Sequence, residues 1–124
     1  MPCNLLLVDD SAAIRKILQR VLQHANLIYG NLYEAGDGLE ALEIMRSERV
    51  DLILTDIQMP KMDGFQLLKE VKEHAIWKNV PVVMIAGDSA QGRVMEAAGL
   101  EAAAYLWKPF TPEQIQSKLS DFLR

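Results

Sequence analysis

The chain has 124 residues, half of them hydrophobic and 24% charged, the profile of one globular domain with room for its own core. Its formal net charge of −4 speaks against a nucleic-acid or anionic-membrane surface as partner, because both need a basic footprint. The single cysteine, Cys3, excludes an internal disulfide and fits a reducing, cytoplasmic setting.

Cys3 reads as a small residue leading into a strand. The apolar run Leu5–Val8 suits a strand buried on both faces and is too short for a signal peptide or a membrane span. Ser11 is a candidate N-cap for an amphipathic helix in which Ile14, Ile17, Leu18, Val21, Leu22 and Ala25 recur at helical spacing. A second strand is predicted over Ile28–Ala35, interrupted by Gly30 and Asn31. Asp37 and Glu40 form a capping-box pair ahead of a helix with Leu39, Leu42 and Met45 as its apolar stripe. Leu52–Leu54 is the third strand. A loop through Gln58–Gly64 precedes a helix that turns Phe65, Leu68 and Val71 inward. Val82–Ile85 is the fourth strand. The fourth helix, about Ser89–Ala98, is the weakest, with Gly92 inside it at a cost of about 1 kcal/mol relative to Ala and Gly99 at its end. The fifth strand covers roughly Ala103–Trp107. The last helix starts at Thr111 with Pro112 and Gln114, and Ile115, Leu119, Phe122 and Leu123 supply its buried face. Met1 just ahead of the first strand reads as a native start, and no output domain fits after the last helix.

Five strand–helix units predict a doubly wound α/β fold: a five-stranded parallel sheet with five helices on its two faces. The functional crevice of such a sheet lies at the carboxyl ends of the strands. Asp9 and Asp10 follow the first apolar run, Asp56 the third, Asp88 the fourth and Lys108 the fifth. Taken singly these are ordinary caps and loop residues. Together they bring carboxylates and an amine to one sheet edge. Clustered carboxylates favour a cation, and hard oxygen ligands select Mg²⁺ or Mn²⁺. A carboxylate can also act as nucleophile toward a phosphoryl group.

The motifs Leu-Val-Asp-Asp at 7–10, Leu-Thr-Asp-Ile-Gln-Met-Pro at 54–60, Met-Asp-Gly at 62–64 and Lys-Pro-Phe at 108–110 span the chain in order. As a set they resemble the signature of response-regulator receiver domains, most of all single-domain chemotaxis regulators. The resemblance implies a flavodoxin-like sheet of strand order 2-1-3-4-5. It implies two-component signalling in the cytoplasm, with a histidine kinase or phosphotransfer protein as phosphoryl donor. Asp56 matches the phosphoacceptor. Asp9, Asp10, Asp56 and the Gln58 backbone carbonyl match the Mg²⁺ ligands, Asp10 as the direct ligand of the acidic pair. Lys108 matches the lysine that contacts the phosphoryl group, and Lys108–Pro109 the family's cis peptide bond. Gln58, Gly87 and Asp88 match positions that flank the site and tune it. The activity implied is the domain's own phosphorylation and slow autodephosphorylation, with no dedicated substrate turnover.

One position departs from the pattern. The family has Thr or Ser at the end of the fourth strand, and this chain has Ala86. That removes a hydroxyl bond to the phosphoryl group, which leaves three readings: a weak switch, Ser89 in its place, or an engineered variant. Tyr105 matches the aromatic switch residue. The face of the fourth helix, fifth strand and last helix is then the expected surface for a downstream protein, with Tyr105 and Trp107 on one side of the strand. Three other readings compete. A haloacid-dehalogenase-type phosphatase needs an Asp where Gln58 stands. A flavodoxin-like carrier needs a phosphate loop where Asp9 and Asp10 stand. A degenerate receiver, serving as phosphorylation-independent scaffold or phosphate sink, rests on Ala86.

Overall fold

A computed structural model describes residues 3–87, 102–108 and 111–123. Five parallel strands form one sheet: β1 (Leu5–Val8), β2 (Leu32–Ala35), β3 (Leu52–Asp56), β4 (Val82–Ala86) and β5 (Ala104–Trp107). Their order is β2-β1-β3-β4-β5, as the resemblance implied. The described helices are α1 (Ala12–His24), α2 (Gly38–Ser47), α3 (Gly64–Glu73) and α4 (Pro112–Leu119). Here α4 is the last predicted helix; the one expected over Ser89–Ala98 lies outside the described residues, as do Gly92 and Gly99.

The continuous apolar runs become the three central strands because both faces of the sheet are covered. Alternate residues feed two cores. Leu6, Val8, Ile53, Met84 and Ala86 meet α2 and α3 on one face. Leu5, Leu7, Leu54, Val83 and Ile85 meet α1 and α4 on the other. The register places Val8 beside Thr55, and Asp56 beside Ile85, so β1, β3 and β4 end together at one edge.

Several sequence expectations need correction. The second strand begins at Leu32, not Ile28. Ahead of it the chain is held by the Gly30 N–H on the Cys3 carbonyl (2.6 Å) and the Asn31 N–H on Asn4 Oδ1 (2.9 Å), and Ile28 is 74% exposed. Leu39 and Ile17 are not core residues, being 47% and 49% exposed. The buried stripe of α2 is Gly38, Ala41, Leu42 and Met45, with two small residues in it because α2 passes close to the loop before α3. The Asp37 cap is only half of the expected box. Its side chain accepts from the Glu40 N–H, but Glu40 reaches back to the Gly36 N–H. The reciprocal box lies instead at α3, between Asp63 and Gln66. The expected box at Thr111 and Gln114 is present on α4. That helix ends at Leu119, and Phe122 and Leu123 pack on the second core from the turn beyond.

Gly64 is where the fold constrains the site most tightly. Its N–H bonds the Ile57 carbonyl at 2.8 Å, which draws the start of α3 onto the end of β3. A Cβ at this position would lie 2.4 Å from the Asp56 carbonyl oxygen and 2.9 Å from Ile57 Cα. Backbone cannot yield as a side-chain tip can. Gly64→Ala is therefore expected to cost about 1–3 kcal/mol, the range for overpacked sites, read as a lowered urea midpoint at unchanged slope.

Candidate functional site

Asp9 stands one residue past β1 and Asp56 is the last residue of β3. Adjacent parallel strands thus deliver two carboxylates side by side, and Asp10 adds a third from the turn into α1. One carboxylate oxygen from each of Asp9, Asp10 and Asp56 lies within 4.8 Å of the others. Asp10 is exposed, Asp56 is half-buried, and Asp9 is only 2% exposed. Asp9 Oδ1 accepts the Ser11 N–H at 2.9 Å, while Ser11 Oγ caps α1 by accepting from Ile14 at 3.2 Å. Asp9 Oδ2 is buried without a hydrogen-bond partner among the described residues.

Lys108 follows β5 and sets Nζ 3.7 Å from Asp56 Oδ1. Its backbone N–H bonds the Ala86 carbonyl at 2.7 Å, so the β4 end fixes where the lysine starts. Asp56 Oδ1 also accepts the Ile57 N–H at 2.9 Å. Burial raises the Asp56 pKa above the usual carboxylate value; Lys108 and the Ile57 N–H pull against it, and Asp10 adds to it. Burial likewise raises Asp9, against the Ser11 N–H and Lys108 and together with the charges of Asp56 and Asp10.

The other expected residues divide. Gln58 is exposed in the loop after β3. That loop turns through Lys61 at φ 65°, and Lys61 Nζ lies 3.9 Å from the buried Asp37. A Cβ at Gly87, the last described residue of its segment, would meet no described atom within 4 Å. Ala86 is fully buried in the core shared with Val8, Ile57 and Met84. Tyr105 packs against that core, and Trp107, two residues on, is 44% exposed. Asp88, Ser89, Pro109 and Phe110 lie outside the described residues, and with them the Lys108–Pro109 bond. Sequence reading missed Arg15. Its Nε bonds Glu34 Oε1 at 3.0 Å and its Nη1 donates to the Asp9 carbonyl. Its place one turn inside α1, on the side of the acidic pair, was the available signal.

Comparison with known proteins fits this geometry. The family model described as the response regulator receiver domain matches residues 5–120. The chain belongs to the response regulator receiver domain family. Among its relatives, chemotaxis protein CheY-3 of Vibrio cholerae is 36% identical over 94% of this chain and 88% of its own length. A CheY homologue of Campylobacter jejuni is 33% identical over 97% of this chain and 92% of its own. Among solved structures, CheY4 of Vibrio cholerae superposes with a TM-score of 0.83 at 33% identity, covering 99% of this chain and 100% of the other. The receiver domain of AraT from Geobacillus stearothermophilus gives 0.84 at 31%, covering 98% and 93%. The receiver is therefore a two-component signalling module with a flavodoxin-like fold. Receivers generally bind Mg²⁺ at an acidic pocket, and this one has the matching aspartate cluster. None of its described helices is long and apolar enough to cross a membrane.

A carboxylate whose pKa is higher folded than unfolded holds its proton better when folded. Stability then falls as pH rises from the unfolded to the folded pKa, and the penalty is absent below the unfolded value. Asp56→Asn removes that penalty. Without divalent cations it is expected to melt above the wild type at pH 7, with the advantage shrinking toward pH ~4, where the unfolded carboxylate takes up its proton. Equal melting temperatures at pH 7 would contradict a cost of burying the charged Asp56 carboxylate.

Proposed function

We propose that this receiver takes a phosphoryl group on Asp56 from a histidine kinase or phosphotransfer protein, with Mg²⁺ held by Asp9, Asp10, Asp56 and the Gln58 backbone carbonyl. The observation that carries the reading is the buried, unpartnered Asp9 Oδ2 within a trio of carboxylates. A buried anionic oxygen without a donor is costly, and a hard cation is the ligand that relieves it. The donor set, all oxygen, fits Mg²⁺. When bound, Mg²⁺ would neutralise the crowded carboxylates and the oxygens of the incoming phosphoryl group.

The protein's own part is positioning. Among the described residues, the Ile57 N–H by a hydrogen bond and Lys108 by an ion pair at 3.7 Å both engage Oδ1 of the Asp56 carboxylate. That leaves Oδ2 to attack phosphorus as the bond between the phosphoryl group and its donor breaks. Lys108 then meets the transferred oxygens, where its charge is needed. It is part-exposed and tethered by the Ala86 carbonyl, so it can swing from Asp56 to the product without moving its backbone.

Ala86 bears on the phosphorylated state. Its methyl is buried beside the site and can donate no bond to a phosphoryl oxygen. A hydrogen bond to a charged group is worth about 1.5–3 kcal/mol, the same size as a typical allosteric coupling. We therefore read the domain as phosphorylatable but weakly switched. The cleft of about 110 Å³ between Tyr105, Trp107, Gln114 and Lys118 supports a downstream protein contact on the β5–α4 face. Exposed Trp107 would be its anchor. A phosphorylation-independent scaffold is the second reading, and Ala86 alone favours it.

Incubation with acetyl phosphate and Mg²⁺ is expected to give a single phosphoryl adduct by intact mass, absent with chelator and absent in Asp56→Ala. No adduct, even with a cognate kinase, would leave the scaffold reading. Ala86→Thr is expected to tighten binding of a downstream partner to the phosphorylated form by roughly tenfold, the equivalent of one restored charged hydrogen bond. Unchanged affinity in that state would sink the weak-switch reading.

A further inference from the structure

Asp9 has four polar atoms, and the structure fixes three of them. Its N–H bonds the Ala35 carbonyl of β2 at 3.0 Å, its Oδ1 accepts from Ser11, and its carbonyl accepts from Arg15 Nη1. The guanidinium is in turn held through Nε by Glu34 of β2 at 3.0 Å, and its side chain is 17% exposed. Arg15 thus ties α1, the end of β1 and β2 together at one point. The atom it grips is the carbonyl of the Asp9–Asp10 peptide, and the orientation of that peptide sets where the Asp10 chain leaves β1. We infer that Arg15 is a positioning residue for the divalent-cation site: it locks the Asp9–Asp10 peptide so that both carboxylates converge on Asp56.

The inference rests on the proposed Mg²⁺ site, and charge alone makes the opposite prediction. Arg15 is a cation placed next to a proposed cation site. If it acted only through its charge, removing it would strengthen Mg²⁺ binding. If it acts by holding the peptide, removing it weakens binding, because Asp10 is exposed and the Asp9–Ser11 bond that brackets it leaves the peptide between Asp9 and Asp10 held by Arg15. Arg15→Lys separates the two further. It keeps the charge but replaces the rigid fork, whose Nε and Nη1 hold Glu34 and the Asp9 carbonyl, with one nitrogen on a flexible stem.

The test is calorimetric titration of MgCl₂ into the wild type, Arg15→Gln and Arg15→Lys, each checked for cooperative melting. Loss of an outer partner of a metal ligand typically costs about tenfold or more in affinity, and that loss is expected for Arg15→Gln. Arg15→Lys is expected to be weakened too. Unchanged or tighter binding by Arg15→Gln would overturn the inference while leaving the Mg²⁺ site itself intact. Should Arg15→Gln fail to fold, Arg15→Lys decides: wild-type affinity there overturns the inference. A wild type that takes up no Mg²⁺ would overturn both this role and the metal reading on which it rests.

Discussion

Like charge held at close range is the constraint around which this receiver is built. Oxygens of Asp9, Asp10 and Asp56 stand within 4.8 Å of one another, and Asp9 is almost wholly out of water. Such an arrangement survives only where the backbone leaves the side chains no retreat. The buried strands β1 and β3 provide that rigidity, each covered on both faces by helices. The penalty is local, and the rest of the fold is arranged to carry it. Ser11 caps α1 while its N–H holds Asp9, Gly64 draws α3 onto the carbonyl of Ile57, and the Ala86 carbonyl sets Lys108 in reach.

The two cores divide the work. The face with α1 and α4 is a plain aliphatic contact of Leu18, Leu22, Ile115 and Leu119 against the sheet. The face with α2 and α3 holds Val8, Ile57 and Ala86, the chain neighbours of Asp9, Asp56 and Gly87, and Tyr105 packs against it. A hydroxyl at Ala86 would link the site to that layer by a hydrogen bond. A methyl cannot make that bond.

The parts of this molecule that are governed by local pattern were legible in the sequence. Apolar runs such as Val82–Ile85 can only be strands buried on both sides, and their ends named Asp9, Asp56 and Lys108 before any coordinates. What escaped depended on approach between distant segments. Leu39 looks like a core residue on a helical wheel, yet Gly38 and Ala41 hold the buried stripe because a Cβ at Gly38 would fall 2.6 Å from Met62. The edge strand starts late because the chain ahead of Leu32 is held by Cys3 and Asn4. The resemblance singled out Asp10 as the direct ligand of the acidic pair, but that Asp9 is buried and Asp10 exposed comes from the fold alone. Arg15 carried no motif, and its meaning comes from Glu34 and the Asp9 carbonyl meeting it in space.

If charge crowding exists to hold a cation, then adding that cation must return the stability it costs. The direct measurement is thermal unfolding of the wild type and Asp10→Asn at pH 7, across a series of MgCl₂ concentrations at constant ionic strength. Binding to the folded state alone raises stability as the logarithm of ligand concentration. The wild type is expected to gain melting temperature steadily with Mg²⁺, and Asp10→Asn to gain much less. Identical, flat responses in the two proteins would show that the aspartates hold no cation and would contradict a site built around one.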